Sequence, residues 1–157
     1  MMMLRKLVPL PIDIEHIDEH FAAVEQRFER PPAREALAQC REPLLAGVSD
    51  NFTRSQSPRG TPWPERKDNK PHPLLNLSGD LLAAATQTGA PGHVDHLDET
   101  SLTIGVDKGV IPYAGVHQFG YPEKNIPQRE YLGANKQTIQ ECGAIIGREL
   151  LPDLFFV

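Results

Sequence analysis

The sequence predicts an α+β protein: a small antiparallel β-sheet flanked by helices, with a long extended proline-rich arm. Three observations predict it. Apolar residues recur every three or four positions between Ile14 and Phe52. The period changes to two only between Val94 and Val106, and returns to helical spacing from Tyr131 to Leu151. Helices and strands that are segregated along the chain, not alternating, suit helices laid on one face of an antiparallel sheet.

The first element is an amphipathic helix carrying Ile14, Ile17, Phe21, Val24 and Phe28, closed by Pro31 and Pro32. A second helix runs from Ala33 with Leu37, Cys40, Leu44, Val48 and Phe52 on one side. Pro43 inside it should either kink the helix or mark its true beginning. Residues 55–73 form the arm, where prolines alternate with Arg59, Arg66, Lys67 and Lys70 and almost no aliphatic side chain appears. Such a stretch cannot bury enough apolar surface to offset its own ordering entropy. It nevertheless holds the single tryptophan of the chain, Trp63. Trp63 is therefore read as an anchor, on its own core, on a neighbouring subunit or on a larger assembly, and the arm is expected to contact another subunit more than its own domain.

Ser78 precedes Asp80-Leu81-Leu82-Ala83 as the N-cap of a short helix. Val94 and Leu97, then Leu102, Ile104 and Val106, flank Asp98-Glu99-Thr100-Ser101 and make a hairpin. Tyr113–Phe119 is a short helix and residues 120–127 a loop. Tyr131–Leu151 is the closing helix, with Leu132, Ile139, Cys142, Ile146 and Leu150 on one face. The whole is one domain over 1–157: a helical part over 12–54, the arm over 55–73, and helix, hairpin and closing helix over 74–157.

With 157 residues the chain can bury roughly 70% of its unfolded surface in one core. Fifteen prolines, about twice the usual share of roughly 5%, call for prominent extended loops. The net charge of -5 argues against general affinity for phosphate backbones. The opening Met1–Ile12 reads as a poor signal peptide, because Pro9 and Pro11 interrupt it, and no run reaches the roughly 18 apolar residues of a membrane span. Cys40 and Cys142, far apart and without metal spacing, read as small buried hydrophobes in a reducing compartment.

Little points to catalysis. His16-Ile17-Asp18-Glu19-His20 fits H-x-x-E-H, in which two histidines one turn apart hold zinc and the glutamate is the base, but no third ligand accompanies it. His93 and Asp95 would share one strand face and His96 the other. Tyr113 and His117 would share a helix face without a nucleophile beside them. No catalytic residue, cofactor or metal is expected.

Four segments in order carry a resemblance: Phe52 with Pro58-Arg59-Gly60-Thr61-Pro62-Trp63; Leu74-Leu75-Asn76-Leu77-Ser78-Gly79-Asp80-Leu81; Ile111–Gly120; and Ile126–Gly133. The chain resembles the phage virion morphogenesis family, the tail completion proteins of Mu-like and P2-like phages. Pro127-Gln128-Arg129-Glu130-Tyr131 stands where that family has Pro-x-Arg-Pro-Phe. The resemblance implies a structural virion protein, assembled in the host cytoplasm as a neck or connector ring. That ring would complete the tail and join it to the head, with six copies favoured over twelve. Its partners would be itself and neighbouring neck and tail proteins, with DNA only as cargo and no membrane. The competing classes are a small cytoplasmic metal-dependent hydrolase and a non-virion adaptor. Phe52, Arg59, Trp63, Arg66, Tyr113, His117 and Arg129 are the candidate interface residues, together with Phe155 and Phe156 of the apolar run Leu154–Val157. Arg129 is expected to hydrogen-bond carbonyl or carboxylate oxygens, with Tyr113, His117 and Gln118 packed near the start of the closing helix.

Overall fold

The computed structural model describes residues 33–67 and 70–150. The helix expected over 14–28, the His16–His20 motif and Phe155 and Phe156 lie outside the described residues. Helix α1 spans Ala33–Gln39 and α2 spans Arg41–Arg54. The chain stays near-helical through Cys40, whose amide donates to the Ala36 and Leu37 carbonyls. Pro43 thus sits in the first turn of α2, where the amide it lacks has no helical partner to lose. Of the two expectations for Pro43, the second holds.

Helix α3 (Asp80–Thr86), strands β1 (His93–Leu97) and β2 (Leu102–Val106), helix α4 (Ala114–Phe119), a single 3₁₀ turn (Pro122–Lys124) and helix α5 (Lys136–Leu150) complete the order. The strands pair antiparallel, with His93 opposite Val106 and Leu97 opposite Leu102. Asp98 closes the hairpin: its carboxylate accepts the Thr100 and Ser101 amides at 2.8 and 2.7 Å and the Ser101 hydroxyl at 2.7 Å. These bonds, the Ser101 hydroxyl first, hold its pKa down at about 2. On the inner face Asp95 takes a bidentate pair from Arg41, and His93 Nδ1 donates to the Ala84 carbonyl, so β1 is tied to α2 and α3. The arrangement is α+β, with α3 against both strands and α5 against α1 and α2.

Three local expectations are corrected. The N-cap of α3 is Gly79, not Ser78. Gly79 adopts φ 90°, which a residue without Cβ reaches cheaply, and its carbonyl accepts the Ala83 amide, while Ser78 turns its hydroxyl to Asp80. The closing helix starts at Lys136, five residues later than expected. Backbone groups of Tyr131 and Leu132 are already taken by Gln118, whose Oε1 accepts both amides at 3.0 Å and whose Nε2 donates to the Leu132 carbonyl. Asn135 then caps the helix, its Oδ1 accepting the Thr138 amide at 2.8 Å. Finally, Ile139 is 61% exposed and Thr138 is buried in its place. Thr138 fits because Gly47 of α2 lies beneath it: a Cβ at Gly47 would come within 2.5 Å of Thr138 Oγ1. The helices meet where glycine lets them.

The core gathers Val48 and Phe52 of α2, Leu81 of α3, Ile111 and Tyr131, and Trp63 joins them at 5% exposure. Trp63 meets Phe52 edge-on, with ring centroids 5.6 Å apart, and its indole N–H donates to the Glu130 carbonyl at 2.9 Å. The residues just before it explain how. Ser55 takes a left-handed conformation at φ 50°, the Ser57 amide donates to the Thr61 carbonyl, and the Trp63 amide donates to the Ser55 carbonyl, so 55–63 turns back on itself. Within the expected arm, this part is ordered by hydrogen bonds and delivers Trp63 to its own domain. Of the three anchoring places weighed for Trp63, its own core is the one this structure shows, because a closed turn and one indole secure more than the aliphatic content of the stretch suggests.

The two cysteines also meet. Cys40 Sγ lies 3.8 Å from the Cys142 carbonyl, and Cys142 Sγ lies 3.9 Å from the Cys40 carbonyl, so they pin the α1–α2 junction to α5 as free thiols. Burial, then the Cys142 thiol, pushes the Cys40 pKa up to about 12.

Candidate interaction cleft

Two segments face each other across a cleft of about 680 Å³: the stretch around Glu65–Leu81 and the platform from Tyr113 to Arg129. Its apolar lining includes Leu74, Leu75, Leu77, Leu81, Tyr113, Ile126 and Pro127. Its basic lining includes Arg66, Lys67, Lys70 and Arg129, against Glu65 and Asp80. A chain of net charge -5 thus concentrates positive groups at one place.

Arg129 builds the floor. Its Nε donates to the Pro64 carbonyl at 2.9 Å and one terminal nitrogen to the Glu65 carbonyl at 3.1 Å, while its own amide donates to the His117 carbonyl at 2.8 Å. One residue therefore joins the platform to the far wall. Arg129 is only 8% exposed, and burial, then the charge of Arg66, shifts its pKa downward. Arg66 in turn donates to the Lys70 and His72 carbonyls at 3.0 and 2.8 Å and closes the loop above. The His117 and Tyr113 rings meet edge to face at 6.0 Å. Burial, and next the charge of Arg129, lowers the His117 pKa, which disfavours the protonated ring.

The platform is braced by its own backbone and side-chain contacts. Gly120 takes φ 77°, and a Cβ there would come within 2.9 Å of the Gln128 amide nitrogen, so this crossing requires glycine. Gln128 donates to the Gln118 carbonyl at 3.0 Å, and the Tyr121 and Ile126 backbones pair. Opposite, Leu75 holds φ 58°, an uncommon conformation for a bulky residue that costs of order 1–3 kcal/mol and recurs at binding sites.

Of the candidate interface residues, Arg66, Tyr113, His117 and Arg129 come together at this cleft. Arg59 stands apart, exposed on the 57–61 turn. Phe52 and Trp63 are 7% and 5% exposed, so they support the surface from beneath. Sequence reading passed over Leu77 and Phe119, 74% and 75% exposed. Both lie inside the segments that carry the family resemblance, which was the available signal. Among the described residues no group of three or more His, Cys, Asp or Glu side chains could hold a metal, and His93 and Asp95 are engaged with Ala84 and Arg41. No described helix is long and apolar enough to cross a membrane.

A model of the Phage virion morphogenesis family matches residues 12–151, and the chain belongs to that family. It is a bacteriophage protein of virion morphogenesis. No curated protein and no solved structure matches the chain.

Proposed function

We propose that this protein completes the phage tail and joins it to the head, as a structural subunit of a neck or connector ring. The observation that carries the reading is family membership across residues 12–151. The cleft is compatible with it: exposed Leu77 and Tyr113 beside basic groups make a surface that a lone subunit leaves wet and an assembly would cover. A ring of identical subunits needs two different patches that fit each other, repeated until the circle closes. Six copies would match the symmetry of a tail tube. A net acidic ring also lets DNA pass without adhering. No cofactor takes part.

Native mass measurement of the purified full chain over a range of concentrations tests the reading. It expects a closed assembly at six times the subunit mass. A chain that remains monomeric at every concentration, and is missing from purified particles, contradicts it.

A further inference from the structure

We propose that the cleft between Glu65–Leu81 and Tyr113–Arg129 receives the segment 151–157 of a neighbouring copy, with Asp153 set against the Arg129 floor and Leu154 and Phe155 against Leu74, Leu77 and Ile126. The proposal rests on the ring reading and names the contact that closes the ring.

The cleft asks for an occupant with a carboxylate. Arg129 is buried, and among the described residues its side-chain donors reach carbonyl oxygens, which satisfy hydrogen bonds without cancelling the charge. A buried cation is costly unless an anion meets it. Among the described residues no carboxylate forms an ion pair with Arg129. Asp80, on the cleft wall, is engaged by the Ser78 hydroxyl at 2.7 Å. The cleft also asks for apolar side chains, because Leu77 and Tyr113 are 74% and 41% exposed at its mouth. Its volume of about 680 Å³ can enclose a few side chains, since sites of roughly 300–1,000 Å³ bury most of a small ligand.

Leu151-Pro152-Asp153-Leu154-Phe155-Phe156-Val157 matches both demands: one side-chain carboxylate, no basic residue, and apolar side chains around it. A neighbouring copy is the favoured donor because of where α5 runs. It starts at Lys136, seven residues past Arg129 in the chain, and ends at Leu150, where Glu149 and Arg148 contact Gln39 of α1. Fifteen helical residues at about 1.5 Å each put roughly 22 Å between these ends. Tail into cleft is also a head-to-tail contact between unlike patches, the kind that a closed ring repeats. The family match ends at residue 151, so the cleft belongs to the matched region and most of the tail lies beyond it.

Two full-length variants separate the halves of the contact. Phe155→Asp with Phe156→Asp spoils the tail, and Leu77→Asp with Lys67→Glu spoils the cleft at exposed positions that the fold does not need. Each alone should raise the concentration needed for assembly more than about tenfold, as loss of an interface centre does. Mixed in equal amounts, they should form a one-to-one dimer, since one intact tail then meets one intact cleft. A benzophenone side chain at position 155 should cross-link to peptides carrying Leu77 or Tyr113, and an isotope-labelled mixture should show that the link joins different copies. Variants that assemble as the wild type does would overturn the proposal and leave the ring reading standing. Cross-links confined to single copies would overturn it too, because the occupant is then the chain's own tail. A wild type that never self-associates and never cross-links between copies sinks both readings.

Discussion

Trp63 carries the largest single consequence at the scale of one residue. Since it is buried against Phe52 and hydrogen-bonded to Glu130, Trp63→Ala should destabilise the isolated subunit by about 3–5 kcal/mol, measured by denaturant unfolding. A variant that is as stable as the wild type and fails only in assembly would restore the reading of Trp63 as an anchor on another subunit. His117 predicts a pH effect. Its folded-state pKa lies below the ordinary 6.5, so the unfolded chain takes up the proton more readily than the folded one. Its contribution to stability is full above about pH 6.5 and is lost as pH falls through the lower folded value. The urea midpoint should therefore drop between about pH 7 and pH 5, and His117→Gln should flatten that part of the profile. An identical slope in the variant would assign the effect elsewhere. The sequence suggested that Arg129 pins its loop through carbonyl or carboxylate oxygens, and the structure shows carbonyls. What was not legible is that those carbonyls belong to Pro64 and Glu65, sixty-odd residues away.

At the scale of elements, helical spacing located α2, although α1 and α2 read as one helix from Ala33, the turn residues 98–101 located the hairpin, and apolar content located α4. Periodicity misplaced the start of α5, where the competing partner for Tyr131 and Leu132 is a side-chain amide that no local pattern announces. It also chose Ile139 over Thr138, because hydrophobicity ranks isoleucine first and the close approach of Gly47 favours the smaller residue. This contact makes a signed prediction. In an exposed helix Gly→Ala gains about 1 kcal/mol. At Gly47 the added methyl collides with Thr138, and overpacking of that kind costs about 1–3 kcal/mol. Gly47→Ala should thus lower the melting temperature, and Thr138→Ser, which keeps the clashing hydroxyl, should not relieve it. Thr138→Ala should recover part of the loss in the double variant, because the two sites share one contact. Strict additivity of the two single changes would show that the helices do not meet there.

For the whole molecule, the family was legible because its four segments are local and ordered, while the cleft was not, because it forms only when Arg129 draws residues 64 and 65 onto the platform. Composition pointed to a basic arm, and folding turns that arm into one wall of a site. The central claim is that this subunit closes into a ring where tail meets head. Electron microscopy of purified particles, with the chain identified by an added tag that leaves infectivity intact, tests it most directly. A closed ring of copies is expected at the head-proximal end of the tail, present in joined particles, with separate heads and tails accumulating when the protein is withheld. Particles that lack the tag, or that join normally without the protein, would contradict it.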